Sequence, residues 1–324
     1  MIGWILLGII GFILILYFVV GLIFHRIMFN KRFEKDPIVK YYSIDMFNGL
    51  KREPIEFEYK NGKIRGYIYS YDVSHKGFVV FSHGMFSDHE AYLQEIEYLA
   101  RNGYKVLGFD YYGTSLSDGK NLRGLGNSLA CLDFVLSEVK FLKITERIYV
   151  MGHSWGGFAS LMIAKYHPDL KGVVTMAPFI KADNLLKGFV PAWLYPAIPF
   201  FKLIDAIKCG KYIYNNGIDV LNESNVNTLV LHSKDDHMVK YYRNTYLLTE
   251  YVKKDSVKFI IMNGKHHNPN YSLNAIEYMD KINKELSLLS KEEKLEYRKN
   301  INYQLLGSLD EEVMDKIINF LEME

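Results

Sequence analysis

Tyr149-Val150-Met151-Gly152-His153-Ser154-Trp155-Gly156-Gly157 is the stretch from which the rest of the chain can be read. An apolar run of strand type, residues 148–151, leads into it, and a helix-type run, residues 158–166, leaves it. A serine at so abrupt a strand-to-helix turn is held in a strained backbone shape that lifts its Oγ clear of the sheet. Glycine is needed two residues before it and two after, because side chains there would collide as the chain doubles back. The pattern makes Ser154 a candidate nucleophile. The pentapeptide 152–156 alone arises by chance in long chains, so the weight rests on its surroundings.

On either side, strand-like and helix-like runs alternate. Residues 55–59 and 64–71 read as a hairpin around Asn61-Gly62, a strong short turn signal. Residues 77–82 form a short apolar run of buried-strand type, and 89–100 a helix with Tyr92, Leu93, Ile96, Leu99 and Ala100 on one face. Strands follow at 104–110, 172–176, 228–232 and 257–262, with a helix at 125–142. Such alternation predicts an α/β fold, a mostly parallel sheet with helices on both faces. Ser290-x-x-Glu293 and Ser308-x-x-Glu311 are capping boxes that predict two helices near the C-terminus.

Residues 180–225 break the rhythm. They hold no clear buried strand but contain Phe189, Trp193, Leu194, Tyr195, Phe200, Phe201, Tyr212, Tyr214 and three prolines. A stretch of that length inside a compact domain is usually functional. It reads as a cap or lid that gives an apolar wall to a pocket; the plainer alternative is a helical insertion packed on the body.

The other strong signal lies at the N-terminus. Residues 2–24 are 23 consecutive residues without a charge. As a helix rising ~1.5 Å per residue they cross a ~30 Å hydrocarbon layer. No Lys or Arg precedes the run and no small-residue cleavage site follows it, which argues against a cleaved signal. The run is apolar on every face, which argues against a core helix. The expectation is a retained anchor at 1–25, a linker at 26–52 and a soluble body beyond. Arg26, Lys31, Arg32 and Lys35 follow the span, which predicts a body on the cytoplasmic side. The 39 basic and 37 acidic residues nearly balance and form no basic stripe, which excludes nucleic acid as an expected partner. Cys131 and Cys209 have neither metal-site nor disulfide spacing and suit a reducing compartment.

A serine hydroxyl needs a base within hydrogen-bond reach, and the base needs an acid that fixes its tautomer. After a serine at such an elbow the acid comes next in the chain and the histidine last. Asp235 and Asp236 both follow the strand at 228–232. Asp236, three residues before Val239, is favoured, while Asp235 could brace the turn. His266 and His267 follow the strand at 257–262, and His267 is favoured. His83-Gly84-Met85, after the strand at 77–82, is placed to offer the Met85 N–H to an oxyanion, with the Trp155 N–H as second donor. The histidines and aspartates of these loops hold atoms fit for a metal, but two catalytic loops account for them; no metal or cofactor is expected.

Ser82-His83-Gly84, Gly103-Tyr104, Phe109-Asp110-Tyr111-Tyr112-Gly113-Thr114-Ser115, the Ser154 elbow, Asp236 and His267 come in an order that resembles the α/β-hydrolase superfamily. The likeness is to the branch of monoacylglycerol lipases, lysophospholipases and serine aminopeptidases, over residues 53–322. It implies an α/β-hydrolase core at 53–179 and 226–324, a cap at 180–225, and Ser154, Asp236 and His267 as a triad. The activity so implied is ester cleavage through an acyl-enzyme, on a lipid ester such as a monoacylglycerol or lysophospholipid. An aminopeptidase or amidase is the alternative; it would draw an amine-binding acid from Asp183, Asp205, Asp219 or Glu223. A non-catalytic binding protein on the same fold is a third reading, countered by the presence of all three triad residues. The branch usually carries Arg-Gly-x-Gly-x-Ser after the aspartate; Tyr111-Tyr112-Gly113-Thr114-Ser115 stands here instead.

Overall fold

A computed structural model describes residues 1–40, 42–142 and 147–323. Its eight strands are β1 (Lys51–Tyr59), β2 (Gly62–Ser70), β3 (Gly77–Ser82), β4 (Tyr104–Phe109), β5 (Ile148–His153), β6 (Gly172–Met176), β7 (Asn227–Ser233) and β8 (Val257–Met262). They form one sheet in the order β1-β2-β4-β3-β5-β6-β7-β8. β2 runs antiparallel to both its neighbours, and the pairs from β4 through β8 are parallel. The inner parallel strands β3, β5, β6 and β7 read as largely apolar runs because both their faces are covered. Alternate side chains go to opposite layers. Phe78, Val80, Val150, Val173 and Val230 enter one core, and Val79, Phe81, Met151, Val174 and Leu231 the other.

The first layer holds α3 (Asn127–Phe141), α4 (Trp155–Ile163) and α8 (Thr245–Tyr251); the second holds α2 (Leu93–Arg101) and the last helix of the chain, Glu311–Glu322. Between β6 and β7 lie α5 (Ala182–Phe189), α6 (Ile198–Cys209) and α7 (Gly217–Glu223). α7 packs on α4, with Gly217 against Leu161 and Ile180. It is the crossover that a parallel β6–β7 pair requires, so α5 and α6 with the turns around them form the cover. α9 (Leu273–Leu288), α10 (Lys291–Lys299), α11 (Tyr303–Leu306) and α12 (Glu311–Glu322) complete the chain.

Ser290 and Glu293 make the expected reciprocal capping box on α10. On α12 the cap is Asp310, whose carboxylate accepts from the Val313 N–H, and not Ser308. Ser308 instead meets Ser272 hydroxyl to hydroxyl at 2.7 Å. Aspartate caps as well as serine, and it stands where the chain turns. The β1–β2 hairpin also turns one residue early, at Lys60-Asn61, with Lys60 left-handed at φ 55° and Gly62 already paired with Tyr59.

The N-terminal helix α1 (Ile2–Phe29) outruns the expected anchor by four residues and is long and apolar enough to cross a membrane. Its last turns are not a free stalk. Gly21, His25 and Phe29 are buried, and Phe29 lies in the core with Trp155 and Phe201. The segment read as a linker is likewise docked. The Arg32 guanidinium donates to the carbonyls of Ser115, Ser117 and Gly119, and Phe33 pairs with Thr114.

Candidate active site

The sheet order sets the place of the site. From β3 the chain steps to β4 on one side and to β5 on the other. A crevice therefore opens beyond the carboxyl ends of β3 and β5, where ligands bind in open α/β sheets. The loops after β3, β5, β7 and β8 meet there.

Ser154 sits between β5 and α4 with φ 57° and ψ −112°, the strained elbow predicted for it. The flanking glycines are sterically required. A Cβ on Gly156 would overlap the carbonyl of Ser82, and one on Gly152 would overlap Ser160 Oγ and the carbonyl of Gly156. Ser154 Oγ lies 2.8 Å from His267 Nε2, and His267 Nδ1 lies 2.7 Å from Asp236 Oδ2. An ionised carboxylate only accepts, so Nδ1 carries the proton and Nε2 is left to take one from the serine.

Asp236 is held on every side. Its Oδ1 accepts from the N–H groups of Met238 and Val239, at 2.8 and 2.9 Å, and His232 Nε2 lies 3.1 Å from Oδ2. Burial works against its charge. The contacts with His232 and His267 outweigh that and hold its carboxyl well below the usual carboxylate range. The neighbouring candidates fall elsewhere. Asp235 accepts from the Ser233 hydroxyl and from the N–H groups of Gly264 and His266, so it braces the turn. His266 points at Asp280, with Nε2 3.0 Å from Oδ2, and away from the serine.

Met85 and Trp155, the proposed oxyanion donors, line the same cavity as Ser154 and His267. The Trp155 N–H is the first of α4 and has no carbonyl one turn back in its helix. Tyr111, standing where the resembling branch has arginine, secures this wall: its hydroxyl donates to the His83 carbonyl at 2.9 Å and touches Ser82 Oγ. Its ring also meets Trp155 edge to face, 5.1 Å between centroids.

Two groups escaped the sequence reading. His153 Nε2 lies 2.8 Å from the His267 carbonyl and Nδ1 lies 2.9 Å from the Tyr92 hydroxyl, which accepts from the Gly84 N–H at 3.1 Å. Burial, with the His267 ring beside it, pushes His153 down to about 3, so its ring is neutral at physiological pH. A carbonyl only accepts, so Nε2 donates to His267 and Nδ1 takes the Tyr92 proton. This chain ties the oxyanion turn to the backbone of the base. His153 stood inside the quoted motif without a stated role, and Tyr92 read only as a helix-face apolar residue.

The cavity at Ser154 has a volume of about 460 Å³. Leu185, Leu186 and Phe189 of α5 and Phe201 of α6 form its cover, and Phe24, Met28 and Phe29 of α1 close one side. Of the aromatic residues read into the cap, Phe189 and Phe201 reach the cavity. Phe200 turns to Phe18 of α1, and the Tyr212 hydroxyl donates to Asp133.

Behind the base, Asn270 donates from Nδ2 to the buried carboxyl of Glu95 at 2.8 Å. Burial pushes that carboxyl up from its ordinary 4.5 to about 7, against the opposing bond from Asn270. Between those two values the folded chain keeps a proton the unfolded chain has lost, so stability falls as pH rises from 4.5 to about 7 and is level beyond. Glu95→Gln removes the cost of charging. It is expected to be more stable than the parent at pH 8 by on the order of 3 kcal/mol, with no gain at pH 4. Urea midpoints in detergent at the two pH values check this; equal differences at both would contradict it.

A sheet of this order, with serine, aspartate and histidine joined after β5, β7 and β8, is that of the α/β-hydrolase fold. Comparison with known proteins agrees. The family model described as serine aminopeptidase S33 matches residues 73–216. A cutinase of Thermobifida cellulosilytica is 30% identical over 105 residues, 31% of this chain and 39% of that protein. A cutinase of Thermobifida alba is 33% identical over 87 residues, 26% of this chain and 28% of that protein. The chain thus spans under half the length of these curated relatives. Among solved structures, the Pyrococcus furiosus esterase Pf2001 superposes with a TM-score of 0.60 at 18% identity, covering 90% of this chain and 98% of that one. Est1E from Butyrivibrio proteoclasticus gives 0.53 at 17% identity, covering 72% and 97%. The superpositions show that the chain has the α/β-hydrolase fold.

Proposed function

We propose that this chain is a membrane-anchored carboxylic ester hydrolase acting on acyl lipids, of the monoacylglycerol or lysophospholipid kind. The observation that carries this is the cavity at Ser154, walled by apolar side chains of the cover and of α1 itself. Ser154 attacks the ester carbonyl as His267 takes its proton. The oxyanion is met by the N–H groups of Met85 and Trp155. His267 then returns the proton to the leaving alcohol, and water, deprotonated by the same histidine, releases the acid. The cutinase and esterase likenesses support ester chemistry.

α1 is the proposed anchor. A cleaved signal fits poorly with a helix whose last turns, through His25 and Phe29, are buried in the body. Arg26, Lys31, Arg32 and Lys35 favour a body on the cytoplasmic side. An aminopeptidase, the reading the matched family's description favours, needs a carboxylate facing the substrate amine. Asp205 is buried on the N–H groups of Leu125 and Gly126, Asp183 pairs with Lys202, and Asp219 takes a bond from Asn216. None of the four cap acids is among the described residues lining the cavity.

Purified full-length protein in detergent is expected to hydrolyse long-chain monoacylglycerol or lysophosphatidylcholine with a higher kcat/KM than p-nitrophenyl acetate, and to leave aminoacyl anilides intact. Preference for the acetyl ester would contradict the lipid assignment, and turnover of the anilide would favour the peptidase.

A further inference from the structure

We propose that the acyl chain of the substrate reaches Ser154 sideways from the bilayer, through a groove between α1 and the cover, so that the end of the anchor helix is one wall of the substrate site. This rests on the lipid-ester reading above.

Beside the cavity at Ser154 lies a second hollow of about 190 Å³, between residues 20–27 of α1 and residues 186–201 of the cover. Every residue lining it is apolar, and Phe24, Leu186 and Phe201 line both spaces. The two are neighbours across a partition of hydrocarbon side chains. At the outer side Ile23 and Ile27 are exposed. A groove lined by no polar side chain offers little to a headgroup and suits an alkyl chain, which passes along it with little exposure to water.

The wall is fixed relative to the nucleophile. Gly21 lets α1 cross α6 closely, since a Cβ there would stand 3.0 Å from the Ala197 carbonyl oxygen and the Phe201 nitrogen. Four residues on, His25 Nε2 lies 3.4 Å from Asp205 Oδ2, and the same carboxylate holds the N–H groups of Leu125 and Gly126. The Trp155 indole N–H donates to the Leu125 carbonyl at 2.6 Å. The end of the anchor therefore packs against the aspartate that holds the loop bonded to the residue next to Ser154, without a hydrogen bond from His25.

Depth in the membrane places the groove at the leaflet. A Cβ added to Gly3, Gly8 or Gly11 would meet nothing within 4 Å beyond the helix itself, whereas Tyr17 donates to the Trp193 carbonyl and Phe18 stands edge-on to Phe200. Residues 2–16 alone give about 22 Å of helix, short of the ~30 Å hydrocarbon layer. The remainder has to come from the following turn and a half, where the cover is already docked. Its edge then lies within the leaflet, where Trp193 (69% exposed) and Phe189 (53% exposed) present rings of the kind that favour the membrane interface.

The test uses the full chain in phosphatidylcholine vesicles and a hexadecyl fluorophosphonate with a diazirine at the chain end. After reaction with Ser154 and photolysis, cross-links are expected on peptides from 20–27 and 186–201. Cross-links confined to the loops of Phe86 and Met238, at the other rim of the cavity, would overturn the route and leave the esterase reading standing. No adduct on Ser154 would overturn both. As a second arm, Val190→Trp fills the groove at a residue that does not line the Ser154 cavity. It should lower the ratio of hexadecanoyl-ester to acetyl-ester turnover by roughly tenfold or more; an unaltered ratio would count against the route.

Discussion

Ser154→Ala is expected to lower kcat toward any ester by roughly four to six orders of magnitude, a loss of about 5 to 8 kcal/mol of transition-state stabilisation. The substitution removes the atom placed to form an acyl-enzyme, 2.8 Å from His267 Nε2, and leaves the packing of the elbow almost untouched. Residual turnover would come from binding and from the Met85 and Trp155 N–H groups acting on attack by water. KM should change little, because the cavity walls are the same. Steady-state kinetics on a p-nitrophenyl ester read both quantities. A loss below about a hundredfold would mean that another group carries the chemistry.

Asp236→Asn should cost about 10⁴ in kcat with the fold intact. The asparagine carbonyl can keep the N–H bonds from Met238 and Val239 that now end on Oδ1. Its amide would then face His267 Nδ1 with a donor where a carboxylate accepted. The imidazole answers by moving its proton to Nε2, and the serine loses its base. His232, also on Oδ2, meets the same reversal, so its contact gives no relief. Circular dichroism and the melting temperature should stay close to the parent while kcat collapses. A joint fall of stability and activity would assign Asp236 a structural role only. Asp235→Asn, by contrast, touches the brace at Gly264 and His266 and leaves the triad bonds in place.

The parts of this molecule that could be read from sequence are those where one local pattern has one physical solution. β3, β5, β6 and β7 stood out because a strand buried on both faces has to be largely apolar. The Ser154 elbow stood out because two glycines are forced by backbone overlap. Adjacent alternatives were harder. Asp235 and Asp236 share a loop and a residue type, and only the direction of each carboxylate separates them. Long-range docking left still less trace. Nothing in the run 2–24 says that the same helix goes on to place Phe24, Met28 and Phe29 in the cavity, and nothing near Arg32 says that it grips three carbonyls more than eighty residues away. The His153–Tyr92 link was hidden for the same reason, since its two ends lie 61 residues apart.

The most direct test of the account is the mass of the full-length protein after exposure to a fluorophosphonate, followed by mapping of the modified peptide. A single adduct on Ser154, absent from Ser154→Ala and abolished by prior denaturation, is the predicted result. An unmodified protein, or an adduct on any other serine, would contradict it.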